Sequence, residues 1–370
     1  MNVNHIRKTA ETYINNFILP SDPLKPLWNR ENFIFAKKAK WNYIDNCLIR
    51  AVLMIYSRTE NKILLDYAVK FINSYVSENG DIPTMNVQDF NLDNICGCRN
   101  LVYLYNVTGD SRYKKAYEKI YKNQLVNQPR LKCGNFWHKA VYPHQLWLDG
   151  AYMAIPFMCE YAIIHDDMNI IRDAENQLNN IYNIMRDKKT GLYYHGYDET
   201  KNMFWADKNT GLSPNFWLRS MGWLSAGLAD ICEILPDCTI SRDMLSDLLY
   251  SLEKFSDSDG MLFQLPAKPY LTENYPETSG TLLFAYSCMK AQKLGICNIH
   301  AGEKALSAVE SKFIRLENNI PVLGNICLMG GLGGSQNRDG SENYYISEKI
   351  VENDAKGIAP FLMAYNEYLS

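Results

Sequence analysis

Apolar residues recur at spacings of three and four from one end of the chain to the other. Val3, Ile6, Ala10, Tyr13, Ile14 and Phe17 share one helical face. The same period predicts further helices over about residues 42–57, 62–77, 91–107, 111–126, 150–165, 168–186, 215–235, 241–255, 278–294, 301–315 and 354–369.

These helices are of two alternating kinds. Those near 42, 91, 150, 215, 278 and 354 are apolar or small on nearly all sides, as in AYMAIPFMCEYAI and WLSAGLADI. That is the pattern of a helix buried all round. Those near 62, 111, 168, 241 and 301 are amphipathic, as in SRYKKAYEKIYKNQL. One set is therefore inner and the other outer. Turns within each inner–outer pair are short and polar, whereas the links to the next inner helix are longer and carry aromatic, Gly and Pro residues.

Helical hairpins repeating every ~50–65 residues mark a repeat array. With the first helix serving as the last outer partner, the expected fold is all-α, an (α/α)6 barrel. Because a ring cannot be divided without splitting its core, residues 1–370 are expected to form a single domain. Two antiparallel hairpins are expected inside the links, at TGLYYHGYDETKNMFWAD (190–207) and DSDGMLFQLP (257–266). The Gly-rich LMGGLGGSQNRDG (328–340) lacks the GK[ST] of a phosphate loop and reads as a mobile rim loop.

Composition narrows the partners. The chain has 370 residues, 47% of them hydrophobic and 21% charged, with a formal net charge of −3. No basic run is long enough to follow a phosphate backbone, so nucleic acid is not an expected partner. The N-terminal MNVNHIRKTAETYINNF is too polar for a signal peptide, and no window approaches ~18 unbroken apolar residues. A cytoplasmic protein without a membrane span, monomeric or homodimeric, is expected. The ten cysteines lie largely in apolar helical stretches (Cys47, Cys159, Cys232, Cys288) and read as reduced core thiols.

In such a ring the long links all lie at one end, before the inner helices. They deliver Trp41, Asn42 and Tyr43; Asp93; His138, Lys139, Trp147 and Asp149; His195; Trp217, Arg219 and Trp223; Glu277; and Asp354 to one mouth. Aromatic faces beside carboxylates and a cation suit a sugar, which offers C–H patches to stack on and hydroxyls to hydrogen-bond. Plainer readings stand beside this one. Asp93 and Asp149 are also possible helix caps, Trp217 and Trp223 possible core, and His138 and His195 possible satisfied structural histidines. Arg219 is harder to dismiss, since a cation in an apolar face needs an anion. Cys133, His138 and His144 are close enough in sequence to suggest zinc, but match no standard ligand spacing. No G-x-S-x-G nucleophile elbow is present.

WNY (41–43), HK (138–139) followed by WLDGAYMAIPF, TGLYYHGYD, FWLRSMGW, ETSGT and NDAKGIAPFLMAYNEY together resemble the unsaturated rhamnogalacturonyl hydrolases, glycoside hydrolase family 105, relatives of the unsaturated glucuronyl hydrolases. The resemblance covers nearly the whole chain and implies an (α/α)6 barrel. It also implies removal of a non-reducing-end Δ4,5-unsaturated uronic acid by hydration of its enol ether, with Asp149 as general acid/base and Asp93 assisting. The resemblance places Arg219, His195 and Lys139 on the substrate, with Arg219 on its carboxylate. His138 would also bind the substrate, Trp41, Tyr43, Trp147, Trp217 and Trp223 would wall the sugar, and Met153 would fill beneath it. Hydration needs no metal or cofactor, and none is expected. The substrate is expected to be an unsaturated galacturonyl disaccharide from rhamnogalacturonan. Unsaturated glucuronyl substrates, or an inactive sugar-binding toroid, are the alternatives. Burial beside Trp147 and the charge of Asp93 would raise the pKa of Asp149, and the helix N-terminus would lower it. Sequence leaves that balance open.

Overall fold

The structure is a computed structural model and describes residues 3–369. Its helices are α1 (Val3–Tyr13), prolonged by a π-helical turn at Ile14–Ile18, then α2 (Arg30–Ile34), α3 (Tyr43–Thr59), α4 (Lys62–Asn73), α5 (Cys98–Thr108), α6 (Ser111–Asn123), α7 (Asp149–His165), α8 (Met168–Met185), α9 (Leu218–Ile234), α10 (Thr239–Glu253), α11 (Thr278–Lys293), α12 (Ala301–Phe313), α13 (Glu342–Ser347) and α14 (Ala355–Leu369). Successive inner helices α3, α5, α7, α9, α11 and α14 pack side by side, and α14 closes on α3. Each has an outer partner: α4, α6, α8, α10 and α12 in turn, with α1 against α14. This is the (α/α)6 toroid.

Burial follows the sequence pattern. In α7 the run Gly150–Cys159 is buried without a break, while α6 buries only Tyr113, Ala116, Tyr117 and Ile120. Each Leu or Phe sealed into the interior contributes roughly 1.5–3 kcal/mol. Small residues set the closest approach. A Cβ on Gly280 of α11 would lie 2.5 Å from Leu218 Cγ of α9, so only glycine allows these helices to meet at that point.

Short strands lie in the links: β1 (Gln145–Trp147), β2 (Gly196–Asp198), β3 (Ile314–Glu317), β4 (Ile320–Leu323), β5 (Ile326–Cys327) and β6 (Ile350–Val351). They form the antiparallel pairs β1–β2, β3–β4 and β5–β6. Neither hairpin expected from sequence closes within its expected bounds. Gly196–Asp198 pairs instead with Gln145–Trp147, and residues 262–264 bond to 275–277. Alternation revealed strand character, but the partners lie outside those bounds: Tyr197 also bridges Leu212 in its own link, and 275–277 share a link with 262–264. The hairpin β3–β4 turns through Asn318 and Asn319, both in the left-handed region.

Below the mouth the barrel axis is filled by charge. Arg99 of α5 binds Glu160 of α7 at 2.9 Å and Asp230 of α9 at 2.5 Å, and Lys290 of α11 reaches Asp230 at 2.8 Å. Arg50 of α3 lies 4.0 Å from Glu160. Burial works against these charges, yet the surrounding cations hold the Asp230 carboxyl far below its usual range. A hollow of about 290 Å³ opens at that far end, walled by Ile163, Ile164 and Ile234 and by Arg50, Arg99 and Glu160 of the network.

All ten cysteines are unpaired, eight of them buried. Among the described residues no helix is long and apolar enough to cross a membrane.

Candidate active site

The inner helices begin around a cavity of about 220 Å³ at the other end. Asp149 is the first residue of α7 and Trp217 immediately precedes α9. Neither helix has a side-chain cap. By contrast α3 and α11 are capped by Asn42 and Glu277. The Asp149 carboxylate is thus not used as a cap, and the short 3-10 turn carrying Asp93 is capped by Asn91. The plainer reading of both aspartates finds no support in the geometry.

Backbone bonds through His138 tie the two aspartates together. Leu92 N–H donates to His138 O (3.1 Å) and His138 N–H to Gln145 O (2.9 Å), which begins β1. After β1, Leu148 N–H donates to His195 O (2.9 Å), one residue before β2. The segments bearing Asp93, His138, Asp149 and His195 therefore form one hydrogen-bonded frame.

Within it, Lys139 Nζ donates to Asp93 Oδ2 at 2.5 Å. His138 Nε2 lies 3.6 Å from the other oxygen. Burial lowers the Lys139 ammonium, but Asp93 more than offsets this and its pKa is raised. Burial pushes His138 down to about 4, only partly opposed by Asp93 and reinforced by Lys139. Near neutral pH His138 is a neutral ring, stacked on Trp147 at 4.7 Å and 15°. Trp147 is in turn stacked on Tyr142 at 4.5 Å.

His195 Nε2 stands 3.1 Å from Asp149 Oδ2, and its Nδ1 lies 2.6 Å from the Tyr345 hydroxyl. Burial alone would raise Asp149. The contact and charge of His195, with the charge of His138, outweigh burial and leave the carboxyl below its usual range. The balance left open by sequence thus falls toward the anion in the free protein.

Tyr43, Asp93, His138, Lys139, Trp147, Asp149, Met153 and Trp217 all line the cavity. Four expected residues do not. His195 is fully buried behind Asp149. Trp41 is buried with its Nε1 donating to Asn94 O (2.9 Å), and Trp223 packs on Tyr152 in the core. Arg219 requires the main correction. It is 1% exposed, donates to Ser279 Oγ and to the carbonyls of Cys327 and Leu328, and lies 3.9 Å from Glu277. Its anion belongs to the protein, not to a substrate. Its guanidinium backs the Trp217 ring at 4.8 Å and so holds a cavity wall from behind.

The wall also contains residues that sequence reasoning did not select: Glu31, Lys37, Tyr142, Met329, Gly330 and Arg338. The last three come from the Gly-rich segment assigned only to the rim. A second compartment of about 170 Å³ continues from the first past Tyr43, Asp93 and Lys139 toward Asn29 and Asn32. Glu31 there is held down to about 2, burial being outweighed by Lys356 and Lys37. Cys133, His138 and His144 do not converge: His144 turns to Glu199 and Cys133 to Asn135. Among the described residues no group of three or more His, Cys, Asp or Glu side chains is arranged to hold a metal ion.

Residues 25–370 match the family described as Glycosyl Hydrolase Family 88. A solved family 105 glycoside hydrolase from C. acetobutylicum is 32% identical, has a TM-score of 0.89, and is matched over 98% of this chain and 99% of its own. Protein Atu3128 of Agrobacterium fabrum is 36% identical over 230 residues, 59% of this chain and 98% of that protein. The unsaturated rhamnogalacturonyl hydrolase YesR of Bacillus subtilis is 23% identical over 269 residues, 70% of this chain and 73% of YesR.

Proposed function

The chain belongs to the glycosyl hydrolases of families 88 and 105, and from that premise we propose that it releases a Δ4,5-unsaturated uronic acid from the non-reducing end of a small oligosaccharide. The preferred substrate is an unsaturated galacturonyl disaccharide of rhamnogalacturonan, a choice supported by the likeness to YesR. One observation carries the reading. Asp149, uncapping and backed by His195, faces the same cavity as Asp93 and the Trp147 and Trp217 rings.

In the proposed reaction a proton from Asp149 adds to C4, and the positive charge that develops is shared between C5 and the ring oxygen. Water adds at C5 and returns its proton to the carboxylate. The resulting hemiketal opens by cleavage of the C5–O5 bond, leaving a ketone at C5 and a hemiacetal at C1. The hemiacetal then expels the second sugar as an alcohol and becomes an aldehyde. The sum is one water consumed and one glycosidic bond broken. Asp149 is an anion in the free protein, so it must take up its proton as substrate binds. A uronate entering the cavity expels water and adds like charge, and both changes raise the carboxyl. Asp93, held by Lys139, is placed to bind hydroxyls and to add to that like charge.

The test follows the ultraviolet absorbance of the enol ether. Asp149→Asn is expected to lose on the order of 10²–10⁴ in kcat, the range for a removed general acid/base, while its circular dichroism stays that of the parent. An Asp149→Asn protein with undiminished turnover overturns the mechanism. Comparing rates on unsaturated galacturonyl-rhamnose and unsaturated glucuronyl disaccharides tests the substrate.

A further inference from the structure

An anionic sugar in this cavity needs a cation, and most of the nearby cations are already matched. Lys139 is bound to Asp93 at 2.5 Å, Lys37 to Glu31 at 3.2 Å, and Lys356 to Glu31 and Asp354 at 3.1 Å each. Arg219 is sealed away behind Trp217. Arg338 differs. Its guanidinium bonds only to neutral acceptors, Gln336 Oε1 at 2.7 and 3.1 Å and Met329 Sδ at 3.0 Å, and among the described residues no carboxylate lies within ion-pair reach of it.

The segment that carries Arg338 is built to present it. Gly333 and Arg338 exchange backbone hydrogen bonds, closing the Gly-rich stretch into a tight loop. Two glycines let that loop lie flat on the aromatic wall. A Cβ on Gly330 would fall 2.5 Å from the Trp217 ring, and one on Gly331 would fall 2.8 Å from Arg338 Nη1 and 3.6 Å from Trp147. The result is a guanidinium held across a thin glycine layer from Trp147, on the wall of the cavity that Asp149 also lines.

We infer that Arg338 is the residue that selects the free carboxylate of the substrate sugar, pairing with it through the two-point geometry of a guanidinium. This inference rests on the uronyl-hydrolase reading above. It moves the role expected of Arg219 to a loop that packs on the Trp217 ring. Binding costs little rearrangement, since the acceptors displaced, an amide oxygen and a thioether, are neutral.

The experiment compares two substrates, an unsaturated uronyl disaccharide with a free carboxylate and its C6 methyl ester, in the parent protein and in Arg338→Gln. Loss of a charged hydrogen-bonded pair is worth on the order of a 10- to 100-fold change. The acid-over-ester ratio of kcat/KM is therefore expected to fall by that factor, mostly through KM for the acid. Arg338→Lys, which keeps the charge without the fork, is expected to fall between the two and serves if the glutamine variant folds poorly. A ratio unchanged within twofold in both variants overturns the inference. So does a ratio that collapses in Lys139→Gln and not in Arg338→Gln. Inactivity of the parent on the acid as well as the ester would overturn the underlying reading of function, a distinct result.

Discussion

The Tyr345 hydroxyl lies 2.6 Å from His195 Nδ1, while His195 Nε2 faces Asp149 Oδ2 at 3.1 Å. Burial raises the Tyr345 hydroxyl well above its ordinary range, so it keeps its proton and is able to donate to Nδ1. A bond in that direction leaves the ring hydrogen on Nε2, the nitrogen that stands 3.1 Å from Asp149 Oδ2. Tyr345→Phe frees the ring to take the other tautomer, which would turn a lone pair toward the carboxylate. A fall in kcat of about 10-fold is expected, as for a lost neutral-to-charged hydrogen bond, with KM changed much less. A steady-state comparison of the two proteins checks it.

The lowered Asp149 pKa gives a pH signature. Activity that needs protonated Asp149 is lost as pH rises through its pKa. In kcat/KM that limb reports the free protein, where the carboxyl lies below its usual range. In kcat it reports the complex, where the uronate has raised it. The basic limb of kcat is therefore expected at higher pH than that of kcat/KM, in profiles recorded on one substrate. Coincident limbs would remove the proposed proton uptake on binding.

His138 links stability to pH on the acid side. Its folded pKa of about 4 lies below the ordinary value of 6.5, so between these the unfolded chain binds more protons. Stability is then fully present above pH 6.5 and is lost as pH falls toward 4. The full contribution of so deeply buried a ring is roughly 3 kcal/mol. His138→Gln is expected to flatten that part of the curve, measured by urea unfolding at pH 7 and pH 4.5.

Arg219→Met is expected to act on stability before substrate binding. It leaves Glu277 and the Cys327 and Leu328 carbonyls short of their buried cation. Removing one partner of a buried charged group costs roughly 3–5 kcal/mol. The denaturation midpoint should drop accordingly, while KM of the protein that remains folded stays within about threefold. A large KM effect at unchanged stability would return Arg219 to the substrate.

Gly330→Ala drives a methyl group into the Trp217 ring, which is itself fixed by Gln264 at 3.1 Å. Neither side can yield cheaply, so the loop must lift. Overpacking of this kind costs roughly 1–3 kcal/mol. It is expected to appear as a raised KM together with a small fall in the thermal unfolding midpoint.

The sequence made the ring legible because its signal is long and repeated. The inner and outer helices of each pair differ in how far burial extends round them, and α7 and α6 show that contrast plainly. Asp93 and Asp149 could also be found, because each stands beside an aromatic or small-residue string at the start of an inner element. What sequence could not convey was direction. Trp41 precedes α3 much as Trp147 and Trp217 precede α7 and α9, and Arg219 and Trp223 stand in the first two turns of α9, yet all three point into packing instead of the cavity. Strand partners were hidden for a related reason: Gly196–Asp198 pairs with a segment about fifty residues earlier. Arg338 escaped selection because its signal, a lone cation in a glycine-rich stretch, has meaning only once the stretch lies against Trp147 and Trp217.

The ion network beneath the site gives the barrel a floor. Arg99, Glu160, Asp230 and Lys290 are bonded across the axis and cannot part without leaving buried charges alone. A polymer therefore has no tunnel to thread, and a sugar can be accepted only end-on, with its neighbour left outside. Substrate and product also share one doorway. In the proposed reaction the freed keto acid must back out before another chain end can enter, so accumulated product competes with substrate for the same opening, and each oligosaccharide, which carries a single unsaturated end, makes one productive visit.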